Sequence, residues 1–265
     1  MIIGFIGTGN MGGALATAAA KTDAIVCLCN RTPEKAEALA KKLNCQTATA
    51  QEIATTCDYI FLGVKPQMMG DLLSTLAPTL SGRATPFTLV SMAAGLTMQT
   101  LQEMAGGNYP IIRIMPNTPV AVGSGVILYD ATDNVTDDAL SGFCNGMQHA
   151  GLVDRLPEKL MDAGSAVSGC GPAFVAMFIE ALADGGVACG LPREKALQYA
   201  AHTLQGTAQL MLQTGKHPGV LKDEVCSPGG STIQGVKALE DGNLRSTVMS
   251  AIQSAHRRTK ELGKA

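Results

Sequence analysis

The chain has 265 residues, 46% of them hydrophobic and 16% charged, with a formal net charge of −2 and a sequence pI near 6.1. That balance gives no basic footprint, which argues against nucleic acid or an anionic membrane as partner and favours a small soluble substrate. The apolar fraction suffices for one large core or two smaller ones.

Eight cysteines occur without a Cys-x-x-Cys pair or a paired His spacing. No metal site is read from them, and they fit small buried hydrophobes of a reducing, cytoplasmic compartment. Met1 leads directly into an apolar strand with no basic leader, and no uninterrupted apolar run approaches a bilayer span. The expectation is a cytoplasmic chain without a membrane partner.

In chain order, short apolar runs alternate with periodic helical segments. Strands are predicted at Ile2 to Ile6, Ile25 to Cys29, Tyr59 to Val64, Phe87 to Ser91, Ile111 to Ile114, Gly125 to Tyr129 and Leu152 to Val153. Helices are predicted at Met11 to Ala20, Pro33 to Leu43, Gln67 to Leu76 and Thr136 to His149. Such alternation gives an α/β fold: a Rossmann-like, doubly wound and mostly parallel sheet. After Pro157 strand signals stop, and helices follow one another between Gly-Pro, Leu-Pro and Pro-Gly-Gly breaks. The expected domains are therefore 1–156, dinucleotide-binding, and 157–265, all-helical. Ala173 to Ala183 is apolar on nearly every face. A helix of that kind needs cover all round, which a second subunit supplies in an intertwined dimer.

Gly7, Thr8, Gly9, Asn10, Met11 and Gly12 spell Gly-x-Gly-x-x-Gly directly after a predicted strand and at the start of a helix. In that context the first glycine permits the tight turn, the second lets backbone approach a pyrophosphate, and the third lets helix and strand pack closely. At the end of the second strand, where an NAD-binding chain commonly carries a carboxylate, stand Asn30, Arg31 and Thr32. The Arg31 fork pairs with a 2′-phosphate that an acid would repel, so NADPH is preferred and NADH is the alternative. The plainer use of this segment is helix capping by Thr32 with Pro33 at the first helical position. Val64, Lys65 and Pro66 end another strand at the same edge, followed by Met92, Ala93 and Ala94, and then by Asn117. These are the expected neighbours of the nicotinamide half.

Near the other end, Cys226-Ser227-Pro228-Gly229-Gly230-Ser231-Thr232 runs into an apolar helical segment. Adjacent glycines before a helix start gather free amides beside a partial positive charge, which makes a small anion site. Amides of Gly230, Ser231 and Thr232 are expected to hold a substrate carboxylate while the Thr232 hydroxyl reaches an adjacent nitrogen. Capping accounts for the serines, since Ser231 with Gln234 spells a capping box. It leaves Gly229 and Gly230 unexplained.

Over its whole length the chain resembles the pyrroline-5-carboxylate reductase family. The resemblance rests on Gly7 to Gly12, Val64-Lys65-Pro66, Ala93-Ala94-Gly95, Asn117-Thr118-Pro119, Ser168 to Ala173, Ala181 to Val187, Gly190 to Arg193, His217-Pro218-Gly219, Leu221-Lys222-Asp223 and Ser227 to Thr232. It implies NAD(P)H-dependent reduction of 1-pyrroline-5-carboxylate to proline, in a homodimer able to assemble further, for instance into a decamer. By the same resemblance Ser231 and Thr232 are the substrate-binding pair and Glu158 is an acid lining the substrate pocket. Glu224 departs from the family's frequent Asn, and Ala50 falls where some relatives have a polar contact. A cyclic imine accepts hydride without a covalent nucleophile or a metal, so positioning carries most of the chemistry, with Thr232 the expected catalytic contact. Two other readings share the nucleotide end. A hydroxyacid dehydrogenase would place a basic residue where Gly171-Pro172-Ala173 stand, and a dinucleotide-sensing protein would have no use for the anion turn.

Overall fold

The structure is a computed structural model and describes residues 1–262; residues 263–265 of the expected second domain lie outside the described residues. Its first compact unit comprises Met1–Cys170 and the chain from Ala255 onward, and its second comprises Gly171–Ser254.

In the first unit, β1 (Ile2–Ile6) leads into α1 (Asn10–Ala19), then β2 (Ile25–Cys29), α2 (Pro33–Leu43), β3 (Gln46–Thr47), α3 (Ala50–Thr56) and β4 (Tyr59–Leu62). There follow α4 (Met69–Ser81), β5 (Thr88–Ser91), α5 (Met98–Ala105), β6 (Ile111–Pro116), β7 (Gly125–Ala131), α6 (Asp137–Met147), β8 (Gly151–Arg155) and α7 (Met161–Ser168). The strands form one eight-stranded sheet in the order β3-β2-β1-β4-β5-β6-β7-β8. All neighbours run parallel except β6 and β7. Pairing moves outward from β1 in one direction through β3 and in the other through β4, so the sheet has a switch point beside β1, where open α/β sheets take ligands.

Parallel strands buried on both faces read as continuous apolar runs. Every residue of β4, β5 and β6 is buried. One face carries Phe5, Phe61 and Phe143 with α1 and α6, and the other carries Ile60, Leu62 and Leu89 with α3, α4 and α5. Phe5 and Phe61 pack with ring centroids 4.5 Å apart.

Helix α4 differs from its predicted extent. It continues through Pro78 to Ser81 and buries Leu76 and Leu80. Burial of a leucine on this face, worth about 2 kcal/mol, offsets part of the cost of an internal proline. Strand β4 stops at Leu62, short of the predicted Val64, because a side chain at Gly63 would strike the Gly7 carbonyl and the chain must turn there.

The second unit contains α8 (Gly171–Ala188), α9 (Arg193–Thr214), α10 (Pro218–Glu224), α11 (Ser231–Asp241) and the first part of α12 (Leu244–Leu262), whose remainder belongs to the first unit. No strand follows Arg155 among the described residues. Its buried cluster is small, with Ala183, Ala196 and Ala200 at its centre and Ile179 and Val187 against it. Val175, Met177, Leu182, Tyr199, Leu212 and Met249 are exposed. The run Glu158–Ala188 has a window of mean hydropathy 1.6 and meets the length and composition of a membrane span. This corrects the expectation that no segment approaches one, because charge is confined to the run's start and to Glu180 and Asp184.

Candidate active site

The carboxyl ends of β1, β4 and β5 lie level, with Ile6 opposite Leu62 and Leu62 opposite Ser91. The loops at Gly7–Gly9, Gly63–Pro66 and 92–97 therefore leave one edge of the sheet, and Asn117 follows the parallel strand β6 at that same edge. Every predicted nucleotide-end residue from Gly7 to Asn117 stands on this edge.

Gly7 has φ +104°, and a Cβ there would lie 2.6 Å from the Gly63 carbonyl. Its amide donates to the Cys29 carbonyl at 2.8 Å. A Cβ at Gly12 would collide with the Gly7 carbonyl oxygen. Gly7 and Gly12 thus hold strand, turn and helix in contact, whereas a Cβ on Gly9 would meet nothing within 4 Å. Gly9 is the N-cap of α1, with no side-chain cap and no acidic residue in the first turn. The first amides of α1 face open space with the positive end of the helix dipole behind them. The Thr8 hydroxyl beside them is buried and lacks a hydrogen-bond partner. An open cradle, an uncapped helix and an orphaned hydroxyl suit a pyrophosphate.

The Asn30 side chain accepts from the Thr8 amide at 3.2 Å and donates to the Thr32 carbonyl at 3.1 Å. It ties the two nucleotide loops together. Thr32 is the N-cap of α2 and Pro33 its first residue, but the Thr32 hydroxyl makes no capping bond. Arg31 is exposed. Beside them lies a cavity of about 470 Å³ bordered by Asn30, Glu37, Thr49 and Glu52. Thr49 and Glu52 close a capping box on α3. Hydrogen bonds from the Thr49 amide and hydroxyl hold the Glu52 carboxyl below its ordinary value.

In the loop after β5, where the nicotinamide half is expected, the Ala93 amide donates to the Ser91 hydroxyl at 3.3 Å, and Gly95 turns the loop at φ +80°. The Asn117 side chain is fully engaged, donating to the Ser168 carbonyl at 2.9 Å and accepting from the Val126 amide at 2.8 Å. Its main chain is engaged as well, the amide donating to the Val126 carbonyl and the carbonyl accepting from the Val120 amide, each at 3.2 Å.

Glu158 also belongs to the first unit. Its Oε1 accepts from Arg113 Nη1 at 2.9 Å and from the Met98 amide at 2.8 Å. The expected pocket acid thus has an oxygen already committed to protein donors. Sequence reading missed Arg113, although a lone charge inside the apolar run Ile111-Ile112-Arg113-Ile114 is itself a signal that a partner must exist.

In the second unit, Ser227 to Gly230 form a turn closed by the Gly230 amide donating to the Ser227 carbonyl at 3.0 Å. Gly229 has φ +71° after Pro228, which is the requirement of a type II turn. The Gly230 amide is therefore spent on the turn. Gly230 is the N-cap of α11, which has no side-chain cap and no acid in its first turn. The capping box expected from Ser231 and Gln234 does not form, since Ser231 is the first helical residue rather than the cap. The amides of Ser231 and Thr232 have no intrahelical acceptor, and both side chains are exposed. Lys216 pairs with Glu224 nearby in sequence at 2.5 Å. No group of three His, Cys, Asp or Glu residues suited to a metal occurs among the described residues.

Comparison with known proteins identifies the family. Residues 2–95 match the family model described as NADP oxidoreductase coenzyme F420-dependent, and residues 158–262 match pyrroline-5-carboxylate reductase dimerisation. Pyrroline-5-carboxylate reductase of Escherichia coli is 37% identical over 268 residues, covering 99% of this chain and 98% of that protein. The Glycine max enzyme is 44% identical over 80% of this chain and 76% of its own length. Among solved structures, Plasmodium falciparum pyrroline carboxylate reductase with NADP bound superposes with a TM-score of 0.86 at 34% identity over 99% of both chains. The Coxiella burnetii reductase gives 0.90 at 31% identity over 98% of this chain and 97% of that one. A family model over residues 158–262 and relatives matching nearly end to end converge: the chain belongs to the pyrroline-5-carboxylate reductase family.

Proposed function

We propose that this chain reduces 1-pyrroline-5-carboxylate to L-proline with NADPH, NADH serving as a poorer donor. When bound, the dinucleotide supplies a hydride at nicotinamide C4, which the imine carbon accepts. Gly7 to Gly12 receive the pyrophosphate on the α1 N-terminus, with the Thr8 hydroxyl as an added donor. Asn30 sets the Thr8 and Thr32 backbones, Arg31 meets the 2′-phosphate, and the cavity beside Asn30 takes the adenosine. Val64, Lys65, Pro66, Met92, Ala93, Ala94 and Asn117 border the nicotinamide half.

The observation that carries the substrate assignment is the uncapped α11 N-terminus behind the Ser227–Gly230 turn. Gly229 and Gly230 shape the turn, while the Ser231 and Thr232 amides hold the substrate carboxylate. The Thr232 hydroxyl bonds the ring nitrogen as that atom gains electron density. Solvent supplies the proton, because an alcohol is a poor acid. Fixing the carboxylate fixes the imine carbon, and orientation of this kind accounts for roughly 7 to 11 kcal/mol of a barrier in favourable cases.

Residues 1–156 serve as the dinucleotide-binding domain and 157–265 as the substrate and dimerisation domain. The match of residues 158–262 to a dimerisation model supports oligomer formation, and the exposed apolar side chains of α8 suit a homodimer that builds larger assemblies such as a decamer. The net charge and the reducing-compartment cysteine usage support a cytoplasmic location.

Purified protein given NADPH and pyrroline carboxylate is expected to consume the nicotinamide absorbance and form proline. Failure to do so in the assembled oligomer sinks the assignment. Arg31→Ala is expected to raise KM for NADPH about tenfold and to leave KM for NADH nearly unchanged, and equal effects would remove Arg31 from phosphate recognition.

A further inference from the structure

Arg113 sits within β6 between buried Ile112 and Ile114, and its side chain is only 5% exposed. A charge in that position needs a fixed counter-charge. Glu158 provides it at 2.9 Å, and Asp162 lies 3.9 Å from the other guanidinium nitrogen. Asp130, paired directly across from Arg113 in β7, accepts the Glu158 amide at 2.7 Å. Glu158 is thus held at both its main chain and its carboxylate.

Its Oε1 also accepts the Met98 amide, which is the first residue of α5 and the far end of the loop 92–97. The near end of that loop is held by the Ser91 hydroxyl through the Ala93 amide. Thr97 caps α5 by bonding the Thr100 amide, so the Met98 amide has been given a separate partner anchored through a buried arginine.

We propose that the Arg113–Glu158 pair positions the loop 92–97 for the nicotinamide, through the Met98 amide, as a tether from the face of the sheet. Glu158 is then a positioning residue for hydride transfer. This rests on the reading that Met92 to Ala94 border the nicotinamide.

Met98→Pro deletes the tethered N–H at the helical position where proline is best tolerated, and Thr97 already has φ −80° and ψ 161°, which suits a residue preceding proline. Met98→Ala keeps the N–H and removes the same side chain. Relative to Met98→Ala, Met98→Pro is expected to weaken NADPH binding and lower kcat, each about tenfold, because small misplacements of a bound reactant are costly. Binding of adenosine 2′,5′-bisphosphate, which lacks the nicotinamide, should stay unchanged, as should the melting midpoint. Glu158→Gln, which retains an acceptor, should fall between wild type and Met98→Pro. Equal NADPH binding and kcat in the two Met98 variants would overturn the tether, and so would parallel loss of both ligands with the melting midpoint. Ala94→Phe separates the two levels. If it disturbs NADPH binding while Met98→Pro does not, the tether alone is wrong. If neither does, the placement of the nicotinamide has failed and the tether with it.

Discussion

The N-termini of α1 and α11 share one device, a helix start without a side-chain cap or an acidic first turn, set behind glycines. Their surroundings differ. Around α1, Gly7, Gly12 and Gly63 interlock so closely that none accepts a Cβ without collision, and the sheet beneath is buried on both faces. Around α11, a Cβ on Gly229 meets nothing within 4 Å, and no residue of the helix is buried. The first cradle is shaped by a complete core and the second by turn geometry alone. Substitutions at the two places should therefore fail in different ways.

Gly12→Val drives a branched side chain into the Gly7 carbonyl and should abolish measurable NADPH binding, a loss of 100-fold or more (about 2.7 kcal/mol), together with some thermal stability. Titration of nicotinamide fluorescence checks it, and tight binding by the variant would mean the α1 cradle is not the pyrophosphate site. Thr232→Ala should instead leave folding and NADPH affinity intact while lowering kcat/KM for pyrroline carboxylate roughly 10- to 1,000-fold, the range for one hydrogen bond made in a transition state. Unchanged kinetics in that variant would remove Thr232 from the reaction.

A milder test uses pH and concerns the packed unit alone. Burial pushes the Cys57 thiol and the Tyr59 phenol up to about 12 each. Both folded values exceed the ordinary ones of 9.0 and 10.0, so the neutral forms favour folding. Their contribution is complete below about pH 9 and is lost as pH rises toward 12. Chemical denaturation followed against pH should show stability falling over that window, and Tyr59→Phe should flatten the part above pH 10. An unchanged slope would show that the phenol is not shielded.

Much of the packed unit could be read from the chain because parallel strands buried on both sides are unbroken apolar runs. β1 and β2 have their predicted bounds for that reason, and α2 has its own because Pro33 starts it and Asn44, in the left-handed region, ends it. β3 and α3 were missed: Gln46 and Thr47 are exposed polar residues that pair only because β2 offers an edge. The Thr49 and Glu52 spelling of the α3 cap was available and unread. The glycine fingerprint was legible because its context, strand then helix, is local. The Arg113–Glu158 pair was not, since its members lie 45 residues apart and only the fold brings them together. At the Ser227–Thr232 turn the helix begins one position earlier than the capping pattern suggested, at Ser231, and the Gly230 amide is spent on the turn, which leaves the amides of Ser231 and Thr232 available.

Helix α8 buries little besides Ala183 against its own unit while exposing Val175, Met177 and Leu182. For the proposed dimer, mass action then governs the helical unit. In the proposed dimer, dilution below the dissociation constant is expected to strip cover from these apolar side chains and loosen the helical unit, while the sheet, with its own sealed interior, keeps its fold. Turnover per chain is then expected to depend on how many chains are present, and cofactor retention is not.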